Sequence, residues 1–427
     1  MQTTKVFISK NPLIHNALCY IWNIYCLNKN LPYHLTDISE NADIVIDETE
    51  SSDITVSVDF YTSISAGKTQ HPYHIMDAPH IVDTKKRPDH LASAFYMINC
   101  MQEHNVHDFD ELGRYKYENS YQYKFKNIEL NLVQSCFDEL TRSSPKLNRI
   151  VSSAEVKTKF LLSHDIDSIN GAWIQDGLSA IKQMQPWMVF NFIFNAIIQK
   201  PDWLNMDKIM KMESEYDYRS VFFWLVNKGK INDRATNADY SINNKNVQDV
   251  IFALQEQGFE NGLHKSISSE SFTLELKKLP VKTEYNRYHY LKFTLPQAYY
   301  DIENAGIKAD ASLGFAEAYG FRNSYGRPFR PYNFKEERPF NFIEVPLNIM
   351  DGTFQRYLKT PMEETADRVI SFFEKNKHNS VISVLWHNTF FSNYKYKGYS
   401  GQYKKILQYL YDSAFENTTM NELLKKY

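Results

Sequence analysis

No stretch of this chain stays apolar for long enough to cross a bilayer. The longest run, Trp187-Met-Val-Phe-Asn-Phe-Ile-Phe-Asn-Ala-Ile-Ile198, holds about a dozen residues with two Asn inside it, whereas a spanning helix needs roughly 20. Its expected place is a helix packed on its own domain, with peripheral membrane contact as the alternative. The first residues, Met1-Gln-Thr-Thr-Lys-Val-Phe-Ile-Ser-Lys10, lack the apolar core of a signal peptide, so a soluble cytoplasmic protein is expected. Cysteine is scarce as well. Cys19, Cys26, Cys100 and Cys136 form no CxxC pair and all lie in the first third of the chain, as free thiols in a reducing compartment would. A net charge of −3 and the absence of a basic block argue against a nucleic-acid partner. There is no internal repeat and no low-complexity tract.

What is present is ordinary globular material: 43% hydrophobic and 23% charged residues over 427 positions, enough for two domains with real cores. Aromatic side chains are abundant, at 29 Tyr and 28 Phe. Sugar-binding clefts use such side chains, but cores use them more often.

Residues 1–150 alternate short apolar runs (Lys5 to Ser9, Ala42 to Asp47, Ile54 to Val58) with helix-compatible segments, which predicts a small α/β domain of unknown role. Leu91 to Met101 has the spacing of a half-buried helix, and Asp110-Glu-Leu-Gly-Arg-Tyr115 reads as a loop. The polar, Pro-containing segment Thr141 to Arg149 reads as a linker. Residues 155–427 change texture. Strand-like runs recur at 160–163, 220–226, 342–346 and 381–386, separated by amphipathic stretches such as 247–256 and 362–373. Strands alternating with helices predict a parallel sheet or a distorted (β/α) barrel, with a helical insertion near 172–212. In such a barrel, chemistry gathers at the C-terminal ends of the strands.

Polar residues fall at those ends. Phe160-Leu-Leu-Ser-His-Asp-Ile-Asp167 carries two carboxylates out of an apolar strand. Side chains two apart share a face, so Ser163, Asp165 and Asp167 point one way and His164 the other. Two acids facing one site repel unless a cation lies between them or one takes a proton. Asp-x-Asp also occurs in many plain turns. His264 ends a Gly-flanked strand (Gly258 to Lys265), placed for a metal ligand or for a structural role. The segment Gly320 to Tyr332 holds Arg322, Arg327 and Arg330 among Gly, Pro and aromatics. It reads as a stiff loop for an anionic substrate, or as a stacked surface loop. His387, after Leu385-Trp386, is a candidate proton donor or a core histidine.

In their order and contexts these motifs resemble the polysaccharide deacetylase family (carbohydrate esterase family 4, the NodB-homology domain), in the branch that carries a small N-terminal domain. The resemblance spans roughly 155–390, and Asp110 to Tyr115 fits the preceding domain. It implies a barrel of about seven strands and a divalent metal: zinc, or else cobalt, manganese or nickel. The activity implied is hydrolysis of an N-acetylated sugar, glycan, or lipid- or nucleotide-linked sugar precursor. By the same resemblance Asp165 is the general base, Asp167 and His264 are metal ligands, Arg322 orients the base, Asp351 is a supporting acid and His387 is the catalytic acid. Arg327, Arg330 and Trp386 are expected to contact substrate.

One position departs from the pattern. The family's second metal histidine falls four residues after His264, where this chain has Ser268. Zinc sites usually take three protein ligands plus water, and His289, in Asn286 to Phe293, is the expected substitute. Two alternatives remain open at this stage: a glycan-binding relative whose metal site has decayed, and a barrel hydrolase acting on a different amide.

Overall fold

A computed structural model describes residues 3–65, 80–82, 86–151, 156–182, 186–197, 201–231, 234–235, 237–268 and 270–427. Near the N-terminus, β1 (Thr4–Ile8), β2 (Tyr33–Leu35), β3 (Ile44–Asp47) and β4 (Ile54–Thr55) form a parallel sheet in the order β2-β1-β3-β4. Val6, Ile8, Ile44 and Ile46 alternate inward with period two and meet the helices His15–Lys29 and His90–Ile98. The second of these helices is buried along its whole length rather than on one face.

The segment read as a linker is helical. Leu132–Ser143 runs to Ser144, whose hydroxyl accepts from the Leu147 amide and caps the helix Pro145–Ile150. Ser followed by Pro is a helix start as well as a loop signal, because Pro at the first helical position needs no N–H partner.

The larger sheet is built from β5 (Lys159–Ile166), β6 (Ser220–Trp224), β7 (Glu260–Lys265), β8 (Tyr285–Tyr288), β9 (Ala309–Asp310), β10 (Ile343–Glu344), β11 (Leu347–Met350) and β12 (Val381–Leu385). All its pairings are parallel, in the order β10-β9-β8-β7-β6-β5-β12-β11, and β13 (Glu416–Asn417) adds to the start of β5. The two edge strands, β10 and β11, are consecutive in the chain through Val345-Pro346, so the eight-stranded sheet curls round as a distorted (β/α) barrel. Strands β9 and β10, only two residues each, lift the count above the seven expected.

Alternation along β5 divides the core. Phe160 and Leu162 face the surrounding helices, while Leu161 faces a separate interior cluster with Val221, Phe223, Ala309 and Ile343. Met420 and Leu423, on the C-terminal helix, plug that interior. Apolar at its plugged end, the same interior face turns polar further along β5 with Ser163 and Asp165.

Helices Gly171–Lys182, Pro186–Ile197 and Met206–Ser214 follow β5, within the expected insertion. Residues 155, 183–185 and 198–200, which fall within the expected barrel region, insertion and apolar run, lie outside the described residues. The first two helices expose Ile174, Leu178, Ile181, Trp187, Phe190 and Phe194. Among the described residues, no helix is long and apolar enough to cross a membrane.

Candidate active site

Three ligand-type side chains converge at the C-terminal end of the barrel: Asp167 just past β5, His264 on β7 and His289 just past β8. His264 Nε2 lies 3.2 Å from Asp167 Oδ1, His289 Nδ1 lies 3.4 Å from the same oxygen, and the two ring nitrogens are 3.1 Å apart. A tetrahedral ion with bonds of about 2.0–2.1 Å sets its ligands roughly 3.3 Å apart, so the triangle fits a zinc-sized cation. Asp167 Oδ1 is buried with no donor directed at it. His264 Nδ1 donates to the Arg287 carbonyl at 2.9 Å, which fixes the tautomer and leaves Nε2 with its lone pair toward the cluster.

Electrostatics favour the ligand forms of His289 and Asp167, whereas at His264 a cation would have to displace a proton. Burial pulls the His289 imidazole below its usual range and keeps it neutral. Burial works against the Asp167 carboxylate, but His289, His264 and His387 outweigh it and hold the acid well below its normal range. For His264, burial pulls downward and the Asp165 and Asp167 carboxylates push upward by more. Ser268 faces elsewhere, its hydroxyl donating to Glu275 Oε1 at 3.0 Å beside Ser266.

Two acid–base pairs flank the triangle. Asp165 is buried, with Oδ1 accepting from Arg287 Nη1 at 2.8 Å and Oδ2 lying 3.6 Å from His264 Nε2. Arg287 is wholly buried: it also donates to Ser163 Oγ and the Ala311 carbonyl, and it lies 4.5 Å from the centre of the Phe223 ring. Gly262 makes room for that ring, since a Cβ there would meet Phe223 carbons at 2.5 Å. On the other side, His387 Nδ1 donates to Asp351 Oδ1 at 2.6 Å, and the His387 amide donates to Oδ2 of the same carboxylate. Nε2 is left facing the site, 3.7 Å from Asp167 Oδ2. Burial opposes protonation of His387, but Asp351 and the two site acids overcome it and raise its pKa to about 9.

Asp165, Asp167, His264, His289, Asp351 and His387 are therefore brought together, while four expected residues are not. Arg322 does not reach Asp165. It forms a buried two-bond ion pair with Glu103, donates to the Gly314 carbonyl and is sandwiched by Phe293 and Phe315, tying the barrel to the N-terminal part. Arg327 spends its donors on the Asn379, Leu27 and Asn28 carbonyls, and Arg330 on those of Tyr427 and Phe340. Trp386 is a core residue, fully buried against Tyr403. The reason is shared: each side chain is spent on partners of its own, and none of the four lines the cavity. His164, on the outer face of β5, bonds Glu213 and the Trp386 carbonyl.

Sequence reasoning missed Arg287, although period two along β8 groups it with Tyr285 and His289. It also missed the cavity wall. A narrow cavity of about 50 Å³ above the triangle is lined by Arg114, Tyr290, Arg356 and Tyr357 as well as Asp165, Asp167, His264 and His387. A wider groove of about 710 Å³ shares Tyr288 with it and runs past His289, Lys292 and Phe272. Tyr290 and Leu291 both adopt left-handed backbone (φ 57° and 55°), a sharp turn that carries the chain from His289 into the cavity wall.

Comparison with known proteins gives little sequence likeness. The model of a family of unknown function, DUF7033, matches residues 17–144. No curated protein matches the chain. Solved structures similar to it include a protein of Mycobacterium smegmatis provisionally assigned as a polysaccharide deacetylase, at 11% identity and TM-score 0.40, covering 64% of this chain and 92% of that one. A CE4 family pseudoenzyme from Bacillus anthracis matches at 12% identity and TM-score 0.30, covering 65% and 71%. The peptidoglycan deacetylase PdaC from Bacillus subtilis matches at 11% identity and TM-score 0.25, covering 63% and 91%.

Proposed function

We propose that this chain is a metal-dependent hydrolase that removes an N-acetyl group from a sugar or glycan precursor. The observation that carries the reading is the Asp167–His264–His289 triangle, with a held carboxylate on one side and a held imidazole on the other. A divalent ion there would polarise an amide carbonyl and acidify a water.

The remaining steps belong to side chains. Arg287 fixes Asp165 by one oxygen and leaves the other free to take a proton from water as it adds to the carbonyl carbon. Asp351 holds His387 by Nδ1, so the proton on Nε2 points at the departing nitrogen. As the C–N bond breaks, that proton passes to the amine, and acetate is the other product. General acid–base help of this kind contributes about 10²–10⁴-fold for each group. The idea of a decayed, binding-only site starts from the missing ligand at Ser268, and His289 offers that ligand from the next strand end. For a lipid-linked precursor, the exposed apolar face of Gly171–Lys182 and Pro186–Ile197 is the surface that would meet the membrane.

Acetate release from N-acetylated sugar probes tests this reading. Asp165→Asn and His387→Ala are each expected to lose about 10²–10⁴-fold in turnover while keeping a native circular-dichroism spectrum. Wild-type turnover in both variants contradicts the assignment.

A further inference from the structure

Not every cation around the cavity has a carboxylate in contact with it, and the one left over points to the substrate. Asp165 is matched by Arg287, and Asp351 is matched by His387. Arg114 is matched by Asp110, whose carboxylate accepts from its Nε at 2.6 Å and from its backbone amide at 2.8 Å. Arg356 is different. It lines the cavity from an exposed position, and among the described residues no carboxylate lies within ion-pair distance of it. Its hydrogen-bond partner is the Tyr396 hydroxyl. Asp167, the remaining acid of the cavity, belongs to the metal triangle.

The backbone is built to hold this cation in place. Thr353–Tyr357 is a π-helical turn, a form often found at functional sites. It begins two residues after Asp351 and is pinned by Thr353 Oγ1 donating to the Ala316 carbonyl. The next side chain, Tyr357, accepts from Arg114 Nη2 at 3.1 Å, and Arg114 Nη1 reaches the Tyr290 carbonyl. The Asp110–Tyr115 loop, inside the segment matched by the family of unknown function, thus supplies one wall of the cavity.

We propose that Arg356, backed by Arg114 and Tyr357, receives an anionic group of the substrate, a carboxylate or a phosphate, attached close to the acylated nitrogen. This rests on the reading of the cavity as a substrate site, and it gives the N-terminal part a role in completing that site. Guanidinium offers a planar fork that matches either oxyanion.

The test uses the full-length, zinc-loaded chain and calorimetric binding of four probes: N-acetylglucosamine 1-phosphate, N-acetylmuramic acid, neutral methyl N-acetylglucosaminide and inorganic phosphate. A charge-assisted hydrogen bond predicts at least about tenfold tighter binding of one anionic sugar than of the neutral one. Whichever anionic sugar binds tighter identifies the source of the charge. Arg356→Gln is expected to remove the preference and Arg356→Lys to keep part of it, both with metal content unchanged. Equal binding of anionic and neutral sugars, a preference that survives Arg356→Gln, or no binding of any anionic probe overturns the proposal. Acetate release is read in parallel. A persistent anion preference without acetate release contradicts the hydrolase reading and leaves the anion site standing.

Discussion

Arg287 and Arg322 are both buried arginines bonded to buried carboxylates, yet only Arg287 touches the candidate base, and their removal should separate cleanly. Arg287→Met strips Asp165 of its cation, Ser163 of a donor and the Ala311 carbonyl of its partner. Leaving a buried charge unpaired costs about 3–5 kcal/mol. Adding Asp165→Asn removes that charge, so the double variant should recover part of the loss, with a coupling energy of roughly 0.5–3 kcal/mol. Arg322→Met exposes Glu103 to the same penalty, relieved by Glu103→Gln rather than by Asp165→Asn. Urea denaturation of the singles and doubles measures both cycles. Turnover then distinguishes the two arginines. Arg287→Met should lose at least about 10²-fold in kcat, the lower bound for a positioned general base, whereas the folded fraction of Arg322→Met keeps Asp165 and its partner in place. If Asp165→Asn fails to rescue Arg287→Met, or if Arg322→Met loses as much kcat per folded molecule, the assignment of Arg287 to the base is wrong.

Further outcomes follow from the same geometry. Gly262→Ala drives a methyl into Phe223, beneath Arg287; a loss of about 1–3 kcal/mol in urea unfolding is expected, along with reduced turnover. His387 acts in its protonated form, so kcat should fall as pH rises through about 9, and Asp351→Asn should move that alkaline limb to lower pH. The raised pKa also contributes stability that is fully present below the unfolded value of about 6.5 and lost as pH climbs through about 9. Burial and the neighbouring Asp310 push Glu344 well above the usual carboxylate range. The proton shared by this buried pair favours the fold at low pH, and its loss destabilises the fold as pH rises. Unfolding measured at alkaline and mildly acidic pH should therefore differ in the wild type and differ less in Glu344→Gln.

The parts of the site written in local pattern were legible. Alternation along 160–167 put Asp165 and Asp167 on one face of β5, and the ends of apolar runs located His264 and His387. The arginines were not legible, because a guanidinium's partner is set by tertiary folding rather than spacing. Arg322 finds Glu103 more than two hundred positions away, and Arg287 finds Asp165 across two intervening strands. Trp386 sits beside a site histidine in sequence, but period two turns it into the helix layer. Arg114 and Arg356 line one cavity because a loop of the N-terminal part lies over the barrel mouth, a juxtaposition that no single stretch of sequence records. The segment 141–149 shows the same limit in reverse, since its polar residues and Pro serve as readily to cap a helix as to break one.

Metal stoichiometry is the most direct test of the central claim that Asp167, His264 and His289 together hold a divalent ion. Purified chain loaded with zinc and dialysed should retain a single ion by mass spectrometry, and Asp167→Asn, His264→Ala and His289→Ala should each retain far less with the fold intact. A wild-type chain that keeps no ion, or a His289→Ala variant that keeps it as well as the wild type, contradicts the account.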